Sequence, residues 1–391
     1  MIDELLSRGV DQIIGRPELE TALADGRKLR IKFGVDPTRP DLHLGHAVPL
    51  RLLRQLQDAG HTVIFLIGDY TTRVGDPSGR DKTRPQLSDD DISANVETYL
   101  AQAGKVLNLK KAEVRYNSEW LAKLTFLDLI RLAANVSVAQ TIERDDFANR
   151  LSAGQELALH EILYPLMQAY DSVMLEADVE FGGTDQLFNL LAGRSLQKKL
   201  GQAPQIVVTA ELLVGLDGVK KMSKSLDNYV AFTDEPVNMY GKVMSLPDRL
   251  IAPYYKLCTD IPLPVINELV KSLADGANPR DSKASLAREI VRLYHTEAGA
   301  LKAEDAWNKT YRDKLGPTPE QIAEHVLPQA SVLREVLVAV GAATSKTDAR
   351  RLLAQNGVKL NGETTTYEEH PVKVGDQLQV GKHRFFKLTA K

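Results

Sequence analysis

Two short stretches, far apart in the chain, carry side chains suited to phosphate chemistry: His43-Leu44-Gly45-His46 and Lys221-Met222-Ser223-Lys224-Ser225. They supply two imidazoles and two closely spaced ammonium groups. That set can hold a polyphosphate while its α-phosphorus is attacked, because ring N–H and ammonium donors stabilise the charge that grows on phosphate oxygens in the transition state. The glycine between the histidines lets a nucleotide approach the backbone. Neither G-x-G-x-x-G nor G-x-x-x-x-G-K-[ST] occurs in the chain. That lowers the standing of Walker-type ATPases and dinucleotide enzymes.

The surrounding pattern says how these groups are positioned. Leu29, Ile31, Phe33 and Val35 alternate with Arg30, Lys32 and Gly34, a period of two that predicts a strand. A helix is predicted from His46 to Ala59, with Val48, Leu52 and Leu56 four apart, Pro49 in its first turn and Gly60 as its stop. Thr62 to Ile67 is apolar on both faces, as in a central parallel strand. Strand, helix and buried strand make a βαβ unit. Val114 to Tyr116, Val179 to Phe181 and Gln205 to Thr209 read as further strands. The fold class is therefore α/β, a doubly wound Rossmann-like parallel sheet, with His43 to His46 where the first strand meets its helix. Such folds bind ligands at that carboxyl edge, and a helix N-terminus there attracts phosphate. Lys221 to Ser225 falls in a polar, glycine-bearing loop after the Gln205–Thr209 strand.

From Asp234 the strand signal fades and helices are predicted at Pro264 to Leu273 and Ser282 to His295. Gly316-Pro317-Thr318-Pro319 and Pro328 mark a boundary. Beyond it, a short basic helix (Thr347 to Asn356) and small strands at Val358 to Leu360, Val372 to Val374, Gln377 to Val380 and Arg384 to Leu388 form a small α+β module. This divides the chain into a catalytic domain with a connecting helical insertion (1–233), a helical domain (234–325) and the small terminal domain (331–391).

Composition sets outer limits. The chain has 391 residues, 43% hydrophobic and 26% charged, which suits an ordinary water-soluble protein of two or three domains. Its single cysteine, Cys258, forms no intrachain disulfide and fits a reducing cytoplasm. The first residues lack the basic start and apolar run of a secretory signal. No apolar run approaches the roughly 20 residues of a membrane span. The net charge is -3, yet Ser345 to Lys391 holds nine Lys or Arg against five Asp or Glu. That asymmetry suggests a nucleic-acid-facing end, with a solvated surface as the plain alternative.

Taken together, Gly34 to Thr38, His43 to His46, Gly75-Asp76-Pro77-Ser78-Gly79, Tyr164 to Asp171, Gly182 to Gln186 and Lys221 to Ser225 resemble class I aminoacyl-tRNA synthetases, and within them the bacterial tyrosyl enzymes. The resemblance implies activation of tyrosine by ATP to an adenylate with release of pyrophosphate, then transfer to the 3' end of tRNA(Tyr). It implies that Thr38, His43 and His46 contact phosphates, that Lys221 and Lys224 clamp the pyrophosphate and that Ser225 shapes their loop. Gly45 would let adenine pack close and Asp185 would meet the ribose. The amino-acid pocket would use Gly34, with Tyr164, Gln168 and Asp76 at the ammonium, Asp171 at the phenol, Gln186 near the carboxylate and Asp36 on the tyrosine or ribose side of the adenylate. Residues 164, 168 and 171 share one helical face. Where some relatives carry a second hydroxyl-reading tyrosine, this chain has Lys32.

The terminal module resembles the S-four RNA-binding fold, with Lys346, Arg350, Arg351, Lys382 and Arg384 as phosphate contacts. ATP would arrive with Mg2+ carried by its phosphates, since no His/Cys cluster has metal-ligand spacing. The expected partners are L-tyrosine, tRNA(Tyr) and a second copy of the chain as a homodimer, without a membrane. A tryptophanyl-type synthetase, another H-x-G-H nucleotidyl transferase and a non-catalytic RNA-binding protein on the same scaffold remain as alternatives.

Overall fold

The structure, a computed structural model, describes residues 8–38, 40–77, 87–312, 322–327, 331–381 and 384–389. These cluster into two compact units, 1–233 with 247–276, and 234–246 with 277–391.

The first unit is built on a six-stranded sheet. Its strands are β1 (Val10–Ile14), β2 (Arg30–Val35), β3 (Thr62–Ile67), β4 (Glu113–Tyr116), β5 (Val179–Gly183) and β6 (Ile206–Ala210), in the order β1-β6-β5-β2-β3-β4. All neighbours are parallel except β1, which runs antiparallel on the edge beside β6. The strand order reverses around β2, so a crevice opens at the carboxyl ends of β2, β3 and β5, the usual ligand site of such sheets. β1 was not legible in the sequence, because its side chains are half-buried or exposed and show no clean alternation.

Both faces of the sheet are covered. Lys32 and Gly34 lie in register with Ile64 and Leu66, and Ile64 and Leu66 pack with Tyr164, Met167 and Trp120 beneath the helix Leu159–Met174. The helix Leu187–Lys199 packs beside that one. The alternate residues Ile31, Phe33, Val63 and Phe65 are buried on the opposite side, which the helix Leu44–Asp58 covers. That helix begins two residues earlier than the predicted His46, and Pro49 therefore stands in its second turn. The two histidines are the cause, since they cap the helix themselves. Pro49 has no N–H to give to the carbonyl of Gly45.

In the second unit the helices Pro236–Met244, Pro279–Tyr294 and Glu297–Trp307 pack together. Its terminal part contains the helices Leu333–Ala339 and Lys346–Ala354. The accompanying strands are β7 (Ile322–Val326), β8 (Ser331–Val332), β9 (Val358–Leu360), β10 (Glu363–Thr364), β11 (Pro371–Val372), β12 (Gln377–Val380) and β13 (Arg384–Thr389). They form a five-stranded sheet, β10-β9-β12-β13-β7, and a β11-β8 pair. Leu333, Leu337, Ala349, Val358, Leu378 and Leu388 form its core. The strand expected at Val372 to Val374 is shorter and begins at Pro371. Among the described residues no helix is long and apolar enough to cross a membrane.

Leu53 is fully buried under the sheet. Leu53→Ala should lower unfolding free energy by about 2–5 kcal/mol, the cost of lost burial plus a cavity, read by urea titration followed by far-UV circular dichroism.

Candidate active site

The phosphate-facing groups are built into a helix cap. His43 is the N-cap of Leu44–Asp58, and its Nδ1 accepts the Gly45 amide at 3.2 Å. His46 Nδ1 accepts the His43 amide at 3.3 Å. Each Nδ1 is thereby an acceptor, so in the neutral rings the proton sits on Nε2. The ring centroids are 4.0 Å apart. A Cβ on Gly45 would lie 3.0 Å from the His43 ring and 3.7 Å from Met222 Cβ, so this position holds the two signature stretches close. Burial drives the His43 pKa far below its ordinary value, aided by His46 and Lys224. Burial and Lys224 push that of His46 down to about 3. Both rings are neutral at pH 7 and offer donors without carrying charge.

The lysine loop reaches this cap through the backbone. Leu44 N–H donates to Val230 O (3.0 Å) and Phe232 N–H to Leu42 O (2.9 Å), with His43 bridged antiparallel to Ala231. Asn228 and Asp217, neither singled out from the sequence, shape the loop. Ser223 N–H donates to Asn228 Oδ1 (2.8 Å), and Asn228 Nδ2 donates to Asp217 Oδ2 (2.7 Å) and to Lys221 O (3.1 Å). Lys221 Nζ pairs with Asp185 at 2.7 Å. Lys224 Nζ stands 5.3 Å from the Tyr99 ring centroid. The Ser225 side chain lies outside the described residues.

A second set of groups lines the carboxyl ends of β2, β3 and β5. Tyr164 Oη donates to Asp36 Oδ2 (2.9 Å), and Thr71 Oγ1 donates to Asp36 Oδ1 (2.9 Å). Gly68 is required there, since a Cβ would fall 2.1 Å from Asp36 Oδ1. Burial raises the Tyr164 pKa well above its usual value, with Asp36 and Asp76 adding to it. Gln186 Nε2 donates to Asp76 Oδ2 (2.7 Å), Asn189 Nδ2 to Gln186 Oε1 (3.0 Å), and Arg144 Nη1 to Asn189 Oδ1 (3.1 Å). Gln168 is half-buried and its Nε2 donates to Glu180 at 3.2 Å. Thr38, half-buried, donates its amide to Asp36 O at 2.8 Å, and Gly34 is exposed at the end of β2.

Asp171 is buried on the same helix. Its Oδ1 accepts the Trp120 indole N–H at 2.7 Å and its Oδ2 accepts Asn117 Nδ2 at 3.3 Å. Burial raises its pKa to about 7, opposed by Lys32 and by those two donors. The sign follows: the folded carboxyl keeps its proton as pH rises past the usual carboxylate range, and this contribution to stability is lost as pH passes through about 7. Trp120 and Asn117 carry no sequence signal of their own. They lie just after β4, and only the fold brings them to Asp171.

The family model for tRNA synthetases class I (W and Y) matches residues 24–312. The chain belongs to that family. The tyrosine–tRNA ligase of Thermotoga maritima is 48% identical over 389 residues, covering 99% of this chain and 96% of the relative. That of Moorella thermoacetica is 48% identical over 98% of this chain and 94% of its own length. Among solved structures, a C-terminally truncated mitochondrial tyrosyl-tRNA synthetase of Aspergillus nidulans is similar, with a TM-score of 0.66 and 25% identity over 79% of this chain and 94% of its own.

An S4 domain model matches residues 333–378 of this class I synthetase. There Lys346 pairs with Glu335 (2.8 Å), Arg350 with Glu368 (2.6 Å) and Arg351 with Asp348 (2.7 Å). Arg384 is exposed. Lys382 lies outside the described residues.

The neutral histidines have a measurable consequence. Below about pH 6.5 the unfolded chain takes up protons that the folded rings refuse, so acidification lowers stability. His46→Gln removes one such proton. Between pH 7 and about 5, the variant should lose on the order of 1–2 kcal/mol less than the parent in urea unfolding; an equal loss would show that His46 is protonated in the fold.

Proposed function

We propose that this chain is a tyrosine–tRNA ligase that makes tyrosyl-adenylate from tyrosine and ATP and then charges tRNA(Tyr). In the first step a tyrosine carboxylate oxygen forms a bond to the α-phosphorus as the bond to pyrophosphate breaks. In the second, a hydroxyl of the terminal ribose of the tRNA attacks the adenylate carbonyl carbon, forming the ester and expelling AMP. The observation that carries this reading is the pairing of residues 42–44 with 230–232, which draws Lys224 into electrostatic range of both imidazoles. The relatives named above support tyrosine as the amino acid.

His43 and His46 donate from Nε2 to phosphate oxygens, and Thr38 joins them at the loop. Lys221 leaves Asp185 and Lys224 leaves Tyr99 to clamp the departing pyrophosphate, and Ser225 shapes the loop. The Lys221–Asp185 pair is part-exposed, and pairs of that kind are worth little, so the exchange costs little and frees Asp185 for the ribose. Gly45 gives adenine its close approach. Catalysis is positioning plus stabilisation of developing charge. Magnesium enters as part of the nucleotide, held by its phosphates.

Asp76, Tyr164 and Gln168 take the ammonium of tyrosine, with Asp36 on the tyrosine or ribose side of the adenylate, Gln186 near the carboxylate and Gly34 leaving room beneath. Asp171 accepts the phenol O–H. A buried group built to bond a hydroxyl rejects an analogue that lacks it, because the group is left unpaired. Residues 1–233, with 247–276 packed on them, act as the catalytic domain, the rest of 234–325 as the anticodon-side domain and 331–391 as the RNA-binding domain. Lys346, Arg350, Arg351, Lys382 and Arg384 contact tRNA phosphates, and Lys346, Arg350 and Arg351 exchange surface ion pairs for them.

The protein acts in the cytoplasm as a homodimer. Phe126 is 77% exposed, Val138 63% and Leu159 73%, large apolar side chains that a second copy could cover. Sedimentation of the pure chain should give twice the monomer mass, and a monomer at micromolar concentration would refute the dimer.

Pyrophosphate exchange into ATP, run with each amino acid in turn, should proceed with tyrosine alone. Exchange with tryptophan would move the reading to the related enzyme, and none would point to a non-catalytic protein. His46→Ala and Lys224→Ala should each slow adenylate formation about 10²–10³-fold while tyrosine affinity holds; equal losses in both would make these side chains structural.

A further inference from the structure

Lys32, on β2, is fully buried and opposite Glu180 on β5, its in-register neighbour. Its Nζ lies 2.8 Å from Glu180 Oε1, 2.9 Å from the Gln168 carbonyl oxygen and 2.8 Å from Ser172 Oγ. An ammonium has three N–H donors, so these partners use them all and none is left for a substrate. Two of the three acceptors belong to residues 168 and 172, which bracket Asp171 on one helical turn. Glu180 is held in turn by Ser172 Oγ–H (3.1 Å), by Gln168 Nε2 (3.2 Å) and by Gln205 Nε2. Gly193 leaves the space for this knot, because a Cβ there would lie 2.6 Å from Gln205 Nε2 and 3.0 Å from Ser172 Oγ. Burying two charges is expensive, and two well-packed apolar side chains could fill the same room.

We propose that the Lys32–Glu180 pair is a positioning element for amino-acid selection: it locks the 168–172 turn and, through two opposite charges, holds the Asp171 carboxyl in place to read a phenol, so that tyrosine is taken over phenylalanine. The inference rests on the tyrosine reading above. Asp171 is faced by Lys32 from β2, by Glu180 from β5, and by the N–H groups of Trp120 and Asn117 from the segment after β4. Tyr164, on its own helix, is within electrostatic range of Asp171, Asp36 and Asp76 and donates to Asp36. Lys32 favours the carboxylate and Glu180 opposes it. The pair thus acts on Asp171 by geometry and by field at once.

The test uses the full chain in tyrosine- and phenylalanine-dependent pyrophosphate exchange from about pH 6 to about pH 9, where kcat/KM reports groups of the free enzyme. Lys32→Met should move the midpoint of the tyrosine profile upward, and Glu180→Gln should move it downward. Both should lower the tyrosine-over-phenylalanine ratio roughly tenfold or more, with KM for ATP unchanged. A purely structural pair would shift both profiles in the same direction or neither, and either result overturns the proposal. The double variant Lys32→Met/Glu180→Met removes both charges and leaves apolar fill. Lost discrimination at a parent-like melting temperature supports the proposal, and retained discrimination overturns it. A parent chain without tyrosine-dependent exchange would sink the ligase reading instead.

Discussion

Antiparallel backbone pairing between Leu42–Leu44 and Val230–Phe232 is the constraint on which the phosphate side of the site depends. Nearly two hundred residues separate the two stretches in sequence, and two backbone hydrogen bonds join them. Each such bond contributes only about 1 kcal/mol net, but together they fix register. Register places Met222 against Gly45 and brings Lys224 within electrostatic reach of His43 and His46. Without it the ammonium groups would belong to a surface loop and the imidazoles to an ordinary helix cap.

The histidines serve two ends with one geometry. As caps they satisfy amides at the start of a helix, groups that otherwise have no intrahelical partner. In doing so each Nδ1 becomes an acceptor and each Nε2 keeps the proton. Burial and the neighbouring ammonium keep the rings neutral, so the tautomer that the cap imposes is also the one that offers a donor. A cap and a phosphate ligand are often weighed as alternatives for such a residue, and here the same hydrogen bond supports both.

The amino-acid side of the site follows another logic, the hydrogen-bonding of every carboxyl group drawn into the cleft. Asp36 is held by Tyr164 and Thr71, Asp76 by Gln186, Asp171 by Trp120 and Asn117, and Glu180 by Lys32. Polar groups in such a cleft persist only when hydrogen-bonded. That requirement recruits side chains from helices and loops that never approach one another along the chain.

The legible parts of the sequence were those with local causes. Alternation marked β2, the doubly apolar run marked β3, and the spacing of residues 164, 168 and 171 put them on one helix face, as the helix Leu159–Met174 has them. The edge strand β1 was invisible because half-exposure erased its alternation. Lys32 read as the polar side of an alternating strand, yet helices cover both faces of this sheet and the residue points at Glu180 rather than at water. Sequence alone determined which chemistry the chain carries, since residue type and short-range spacing decide which donors and acceptors exist. Tertiary structure decided which of them meet, which are neutral and which are buried, because those properties arise from desolvation and contacts between residues that only the folded chain brings together.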